Sequence, residues 1–231
     1  MNDYFLLIPA YNPDKNFIKL FIQIKELLPD ITVIIVNDGS NSDIVFKDIK
    51  KNFNQYDRII THPTNLGKGE ALKSGFKYII DNYPLSKGII TADCDLQHSV
   101  EDIIKITNAI ANDSNKIYMG KRNFKSNNIP LKSIIGNKFM TCFLNIFYNI
   151  KLEDTQTGLR AIPTRFIKEI LKIKTNDFSF ETLMLLKAQK TNMQIEEIPI
   201  NTIYINKNKN SNFRPLIDSY KIIKSILKET I

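Results

Sequence analysis

The stretch Ile89-Ile90-Thr91-Ala92-Asp93-Cys94-Asp95-Leu96-Gln97-His98 is an apolar run that stops abruptly at two carboxylates one residue apart. Ile89 and Ile90 read as a buried β-strand, and ligands of an open α/β sheet collect at the carboxyl ends of its strands. Asp93 and Asp95 therefore place hard oxygen ligands at a binding edge, which suits Mg²⁺ or Mn²⁺ and, through the ion, a diphosphate. Asp pairs also cap helices and solvate turns. What surrounds the pair decides between the two readings.

Outward from this stretch, short apolar segments alternate with amphipathic ones. Strands are expected at Tyr4 to Ile8, Ile31 to Val36, Arg58 to Thr61, Gly88 to Thr91 and Lys116 to Met119. Helices are expected near Asp14 to Leu28, Ser42 to Asn52, Gly67 to Asn82 and Ser99 to Ala111. This repetition predicts an α/β fold with a single, mostly parallel sheet flanked by helices. After Gly120 the rhythm changes to a long hydrophobic helix, an irregular polar loop, two further helices and a short strand pair around Gln194 to Tyr204. Residues 1–205 form one domain on this reading. Residues 206–231 add a basic loop and an amphipathic helix, part of that domain or a contact with a membrane or partner.

At 231 residues and 43% hydrophobic content the chain can bury a full core, and no Pro-, Gly- or Ser-rich linker divides it. Cys94 and Cys142 have no metal-ligand spacing and no secretory signal precedes Tyr4, which points to a reducing cytoplasm. No run approaches the roughly 18 apolar residues of a membrane-spanning helix. The net charge of +8 comes from scattered residues, mostly Lys, without a nucleic-acid module. Nucleic acid is therefore not an expected partner, and anionic lipid or a phosphate-bearing substrate is.

Three more features fall at strand ends. Pro9-Ala10-Tyr11-Asn12 suits the wall of a base pocket, and in Asn37-Asp38-Gly39-Ser40 the Asp38 carboxylate suits a ring N–H of uracil or guanine. Asp-Gly-Ser is equally a common turn. Asn65-Leu66-Gly67-Lys68-Gly69 opens a helix and offers Gly67 and Lys68 to phosphate, though it is neither a Walker loop nor a dinucleotide fingerprint.

Taken in order, these motifs together with Asp154-Thr155-Gln156-Thr157-Gly158-Leu159-Arg160 resemble family 2 glycosyltransferases of the GT-A fold, over about residues 4 to 205. Asp-x-Asp-Leu-Gln-His and Thr-Gly-Leu-Arg are most similar to the polyprenyl-phosphate sugar synthases, such as dolichyl-phosphate mannose synthase. Asn37 and Lys121 stand where that family more often has Asp and Ser. The resemblance implies that Pro9, Ala10, Tyr11, Asn12, Asp38, Gly67, Lys68, Asp93 and Asp95 bind a nucleotide diphosphate sugar, UDP-hexose or GDP-mannose. It implies that Asp93, Asp95 and Gln97 hold Mg²⁺ or Mn²⁺. His98 would lie near the diphosphate or cap the helix that starts at Ser99, and capping is the preferred reading.

The expected activity is inverting transfer of a hexose to a polyprenyl phosphate. Such an acceptor is already ionised and needs cations rather than a base, so Arg122, Arg160 and Arg214 are the candidates to receive it. A hydroxyl acceptor on a surface glycan or protein would need a base, for which Asp154 is the choice. Asp95, Arg122, Arg160 and Asp154 are thus the catalytic candidates. A non-catalytic nucleotide-sugar-binding subunit is the more distant alternative. Asn137 to Ile150 is too apolar for one helix face and too short to span a bilayer, which fits an interfacial helix, a core helix or a homodimer interface. The tail from Pro215 to Ile231, with Lys221, Lys224 and Lys228, suits anionic lipid or a partner carrying membrane spans, and Lys207, Lys209 and Arg214 before it are expected to engage phosphate on binding. A peripheral position at the cytoplasmic face of a membrane follows.

Overall fold

The computed structural model describes residues 3–124, 131–201 and 222–226, with the side chains of 131–133 left aside. Strands β1 (Tyr4–Ala10), β2 (Thr32–Asn37), β3 (Arg58–Thr61) and β4 (Gly88–Thr91) alternate with helices α1 (Lys15–Leu27), α2 (Ile44–Lys50), α3 (Lys68–Asn82) and α4 (Val100–Asn112). There follow β5 (Ile117–Arg122), α5 (Leu131–Tyr148), β6 (Arg160–Pro163), α6 (Thr164–Ile170), α7 (Ser179–Lys190) and β7 (Ile195–Ile200). The sheet order is β3-β2-β1-β4-β6-β5-β7. Among the described strands only β6 runs against its neighbours, antiparallel to β4 and β5, so the expected mostly parallel sheet is what forms.

Both faces of the sheet are covered, and the period-2 alternation of the strands decides which residue serves which face. Phe5, Leu7, Ile34, Val36 and Ile89 join one core with α3, α5, α6 and α7. Leu6, Ile8, Val33, Ile35 and Ile90 join the other with α1, α2 and α4. Asp14 and Ser99 cap α1 and α4 by accepting the N–H of Asn16 and of Asp102. Ile222 and Ile226, one helical turn apart, are buried in the first core. The remainder of the tail, with Lys207, Lys209, Arg214, Lys221 and Lys228, lies outside the described residues.

Two elements differ from the sequence reading. Arg160–Pro163 is a strand that four residues with a charge at one end and Pro at the other do not announce; it is fixed by its neighbours, with Thr91 opposite Arg160 and Gly88 opposite Pro163. Of the strand pair expected around 194–204, the described part is β7, which differs from a local pair in lying parallel to β5, with Met119 opposite Glu197 and Arg122 opposite Ile200. Residues 202–204 lie outside the described residues. The chain leaves β1 toward β2 on one side, while β4 pairs on the other, so a crevice opens where the carboxyl ends of β1 and β4 diverge.

Candidate active site

The Asp pair sits at that crevice, two and four residues past the end of β4. Asp93 points toward α3 and the turn before β6, where the Thr91 hydroxyl donates to the Gly158 carbonyl (2.8 Å) and holds Gly158 against Asp93. A Cβ at residue 158 would press into the Asp93 carboxylate, which explains why glycine is needed in Thr-Gly-Leu-Arg. Gly158→Ala is expected to displace Asp93 and to lower donor affinity by about tenfold or more with little change in thermal midpoint, as nucleotide titration and a melting curve would show.

Beyond Asp93 the backbone turns through Leu96 at φ +61°, a left-handed conformation that costs a leucine roughly 1–2 kcal/mol. The strain brings Gln97 back onto Asp95: its N–H reaches Oδ1 at 3.2 Å and its amide NH₂ reaches Oδ2 at 2.6 Å. Asp93, Asp95 and the Gln97 amide oxygen form a set of hard donors suited to Mg²⁺ or Mn²⁺. Among the described residues no three His, Cys, Asp or Glu cluster to hold an ion unaided.

A cation of the chain itself already lies here. Lys68, the first residue of α3, places its ammonium 2.8 Å from Asp93 Oδ1 and 2.8 Å from Glu181 Oε2 at the start of α7. Burial disfavours the Lys68 charge, but the two carboxylates outweigh it and hold the ammonium above the usual lysine range. Burial likewise acts against the Asp93 charge, and Lys68 with His98 overcomes it, so that carboxyl lies well below the usual range. Asp95 lacks such a partner: burial, then the Asp93 charge, pushes it up. The Cys94 thiol is pushed up to about 12 by burial and by Asp95 and Asp93, so it stays neutral between them.

His98 is not the helix cap; Ser99 is. The His98 ring instead lies with Nε2 3.3 Å from Asp93 Oδ2, and its Nδ1 is buried without a hydrogen-bond partner, as is Gln156 Nε2. Buried polar atoms of this kind are uncommon away from sites that a ligand or water completes.

The base-pocket residues gather at the ends of β1 and β2. Pro9 and Ala10 are the last residues of β1, Tyr11 is exposed beyond them, and Asn12 and Ser40 lock the two loops together through Asn12 N–H to Ser40 Oγ (2.8 Å) and Asn41 N–H to Asn12 Oδ1 (2.8 Å). Asp38 is buried and largely committed. Its Oδ1 accepts from Leu66 N–H (2.9 Å) and faces His62 Nδ1 (2.7 Å), while Oδ2 accepts from Gly67 N–H (2.9 Å). One acceptor position of Oδ2 has no donor among the described residues. Gly67, at φ +100° against Asn176, lets this loop turn into α3 and deliver Lys68.

Farther along the same edge, Arg122 and Asp154 form a fork. Arg122 Nε and Nη2 donate to Asp154 Oδ2 and Oδ1 at 2.7 and 2.9 Å, and the Phe124 ring lies 5.1 Å from the guanidinium carbon. Backbone N–H groups of Arg122 (3.1 Å) and Gln156 (3.2 Å) fill the other acceptor positions of Asp154, which is fully buried. Asp154, expected as the base for a hydroxyl acceptor, is thus occupied by four donors and paired with Arg122.

Arg160, expected at the acceptor phosphate, lies inside the protein. It is 1% exposed, and its guanidinium donates to the carbonyls of Thr157 (2.9 Å), Glu181 (2.6 Å) and Thr155 (3.3 Å). Burial lowers its pKa against the opposing charges of Glu181, Asp154 and Asp93, which flank it. It ties the turn before β6 to the start of α7. Arg214 lies outside the described residues.

Residues 5–171 match the family model described as Glycosyl transferase family 2. The chain belongs to this family. The glycosyltransferase is 34% identical over 225 residues to the UDP-N-acetylglucosamine-dolichyl-phosphate N-acetylglucosaminyltransferase of Methanococcus voltae, covering 87% of this chain and 85% of that protein. It is 27% identical over 250 residues to the dolichyl-phosphate beta-glucosyltransferase of Saccharomyces cerevisiae, covering 96% of this chain and 72% of that protein. The resemblance to polyprenyl-phosphate sugar transferases is thus shown by relatives of that kind. Glucosyl-3-phosphoglycerate synthase from Mycobacterium tuberculosis, crystallised with Mn²⁺, UDP and glucosyl-3-phosphoglycerate, shares the fold with a TM-score of 0.74 over 98% of this chain and 79% of that one, at 14% identity. The glycosyltransferase has the GT-A architecture.

Sequence reasoning missed Glu181, His62 and Glu197. Glu181 follows Phe178-Ser179-Phe180, where a first-turn Glu looks like ordinary helix-dipole compensation. Glu196-Glu197 does carry a signal, since adjacent acids in a strand must point to opposite faces.

Proposed function

We propose that this glycosyltransferase moves a hexose from a nucleoside diphosphate sugar to the phosphate of a polyprenyl phosphate with inversion at the anomeric carbon. The observation that carries this is the saturation of Asp154 by four N–H donors beside an oriented Arg122. A hydroxyl acceptor would need a base there, and the geometry supplies a cation. The names of the dolichyl-phosphate relatives support the same reading.

On this reading Asp38 and the Asn12–Ser40 loops seat the base, and Asp93, Asp95 and Gln97 hold Mg²⁺ or Mn²⁺. That ion would neutralise charge on the departing diphosphate. Lys68 is placed to share this task, since an ammonium at the helix start attracts phosphate oxygens. Arg122 orients an acceptor phosphate oxygen toward the anomeric carbon; as that bond forms, the bond from the carbon to the diphosphate breaks and the nucleoside diphosphate leaves with the electron pair. A base is unnecessary because the acceptor oxygen carries no proton at neutral pH.

The lipid would arrive along α5. Ile135, Phe139, Cys142 and Ile146 lie at helical spacing on one exposed stripe, with Phe147 exposed beside it, while Met140 and Leu144 face the core. Among the described residues no helix is long and apolar enough to cross a membrane. The stripe suits an interfacial helix at the cytoplasmic face.

The test is release of nucleoside diphosphate from UDP-GlcNAc, UDP-glucose or GDP-mannose with Mn²⁺, with and without a short polyprenyl phosphate. Release that depends on the lipid, with a product labile to mild acid, is the expected result. Transfer to a glycan hydroxyl without lipid dependence would overturn it. In the same preparation, vesicles containing anionic lipid should protect Cys142 from alkylation at pH 8, whereas Cys94 stays unreactive throughout; undiminished Cys142 labelling would remove α5 from the membrane face.

A further inference from the structure

We infer that Glu197 is a positioning residue for the acceptor: its carboxylate fixes the turn that presents Asp154, and through Asp154 it sets the direction of Arg122. The inference rests on the proposed role of Arg122 toward the acceptor phosphate.

The chain of contacts is continuous. Glu197 lies on β7, the edge strand beside β5, and its carboxylate accepts the backbone N–H of Glu153 (2.9 Å to Oε2) and of Asp154 (2.8 Å to Oε1). Two successive amides diverge slightly, and a carboxylate, with two oxygens and only acceptor positions, is the side chain that receives both. From the opposite side, Asn137 of α5 donates to the Glu153 carbonyl (3.1 Å) and accepts from Thr155 N–H (3.3 Å). Residues 153–155 are therefore gripped by β7 and by α5. The gripped turn carries the carboxylate that forks Arg122.

Glu197 and its neighbour Glu196 carry their carboxylates to opposite faces of β7. Glu196 pairs with Lys116 at 3.0 Å, an exposed pair of little consequence for stability. Glu197 is half-buried, and burial disfavours its charge. A charge kept in such a place, with its oxygens aimed at the turn behind Arg122, is explained by control of that turn. The same grip gives α5 a mechanical link to the guanidinium, since Asn137 and the exposed stripe share one helix.

The experiment compares Glu197→Ala, Glu197→Gln, Arg122→Ala and the Glu197→Ala/Arg122→Ala double variant of the full chain. Three quantities are measured: UDP affinity with Mn²⁺ by calorimetry, affinity for a short polyprenyl phosphate in the presence of UDP and Mn²⁺, and steady-state kcat and acceptor KM. Glu197→Ala is expected to weaken acceptor binding and raise acceptor KM by about tenfold, because a guanidinium displaced by an ångström with its Asp154 partner no longer aims at the acceptor phosphate. UDP affinity and kcat at saturating acceptor should stay within twofold. Glu197→Gln keeps one acceptor oxygen and should show a smaller rise, which also decides the question should the alanine variant not fold. In the Arg122→Ala background, Glu197→Ala should add nothing.

Equal losses of UDP and acceptor binding would reduce Glu197 to a fold residue and overturn the inference. So would an unchanged acceptor KM in both Glu197 variants when Arg122→Ala raises it, and in that case the acceptor role of Arg122 stands. An Arg122→Ala variant with normal acceptor affinity would instead overturn the reading of Arg122, and the role of Glu197 with it.

Discussion

Asp95→Asn is expected to lower kcat/KM by about 10²–10³-fold and to remove the Mn²⁺ dependence of UDP binding, while the thermal midpoint stays level or rises. The two halves of this expectation have one cause. Asp95 is held above the usual carboxylate range by burial first and by the Asp93 charge second. A carboxyl raised in the folded chain above its unfolded value prefers to be neutral there, so the ionised form that neutral pH enforces works against folding. The penalty is absent below the unfolded value and develops as pH rises through it and on to the raised folded value. Asparagine removes that charge and keeps an oxygen for the Gln97 N–H, with the Gln97 amide free to rotate its own oxygen toward the new NH₂. Function therefore falls while stability does not. Calorimetric melting of both proteins between pH 4 and 8, beside UDP titrations with Mn²⁺, checks it: the gap in midpoint should widen as pH rises. A midpoint several degrees lower for the variant at pH 7 would mean that Asp95 holds the fold together.

That opposition between site and stability also explains which parts were legible in the sequence. Strands β1, β2 and β4 announce themselves because strands buried on both faces read as apolar runs, and the Asp93–Asp95 pair is conspicuous where such a run ends. Lys68 and Asp38 stand at the same kind of boundary. What sequence spacing does not carry is orientation. Asp154, Arg122 and Arg160 are all polar residues near the second half of the sheet, and nothing in their order tells which guanidinium faces outward. That depends on β6, a strand of four residues whose antiparallel insertion between β4 and β5 turns Arg160 inward, and on Glu197, which arrives from a strand 43 residues after Asp154. Glu181 is invisible for the same reason: its partner Lys68 lies across the domain, and only the packing of α7 on α3 brings them together.

Arg160→Ala is expected to destabilise the protein by about 3–5 kcal/mol, enough to lower the thermal midpoint by roughly 10 °C or to abolish soluble protein. Truncation leaves the carbonyls of Thr155, Thr157 and Glu181 without their donor, in a place with 1% exposure where water cannot replace it, and opens a void the size of the largest fully buried side chain among the described residues. Arg160→Lys restores the charge but cannot reproduce a fork that serves three carbonyls, so a loss of about 2 kcal/mol should remain. Arg122→Ala should behave in the opposite way. Its guanidinium is only partly buried, so the midpoint should drop less, by a few degrees for the Asp154 carboxylate left unpaired, while acceptor KM climbs steeply. Melting curves and acceptor kinetics on the three variants give each arginine its own signature. An Arg160→Lys protein that melts like the parent but fails only in acceptor binding would return Arg160 to the acceptor site and require the interior around β6 to open in solution.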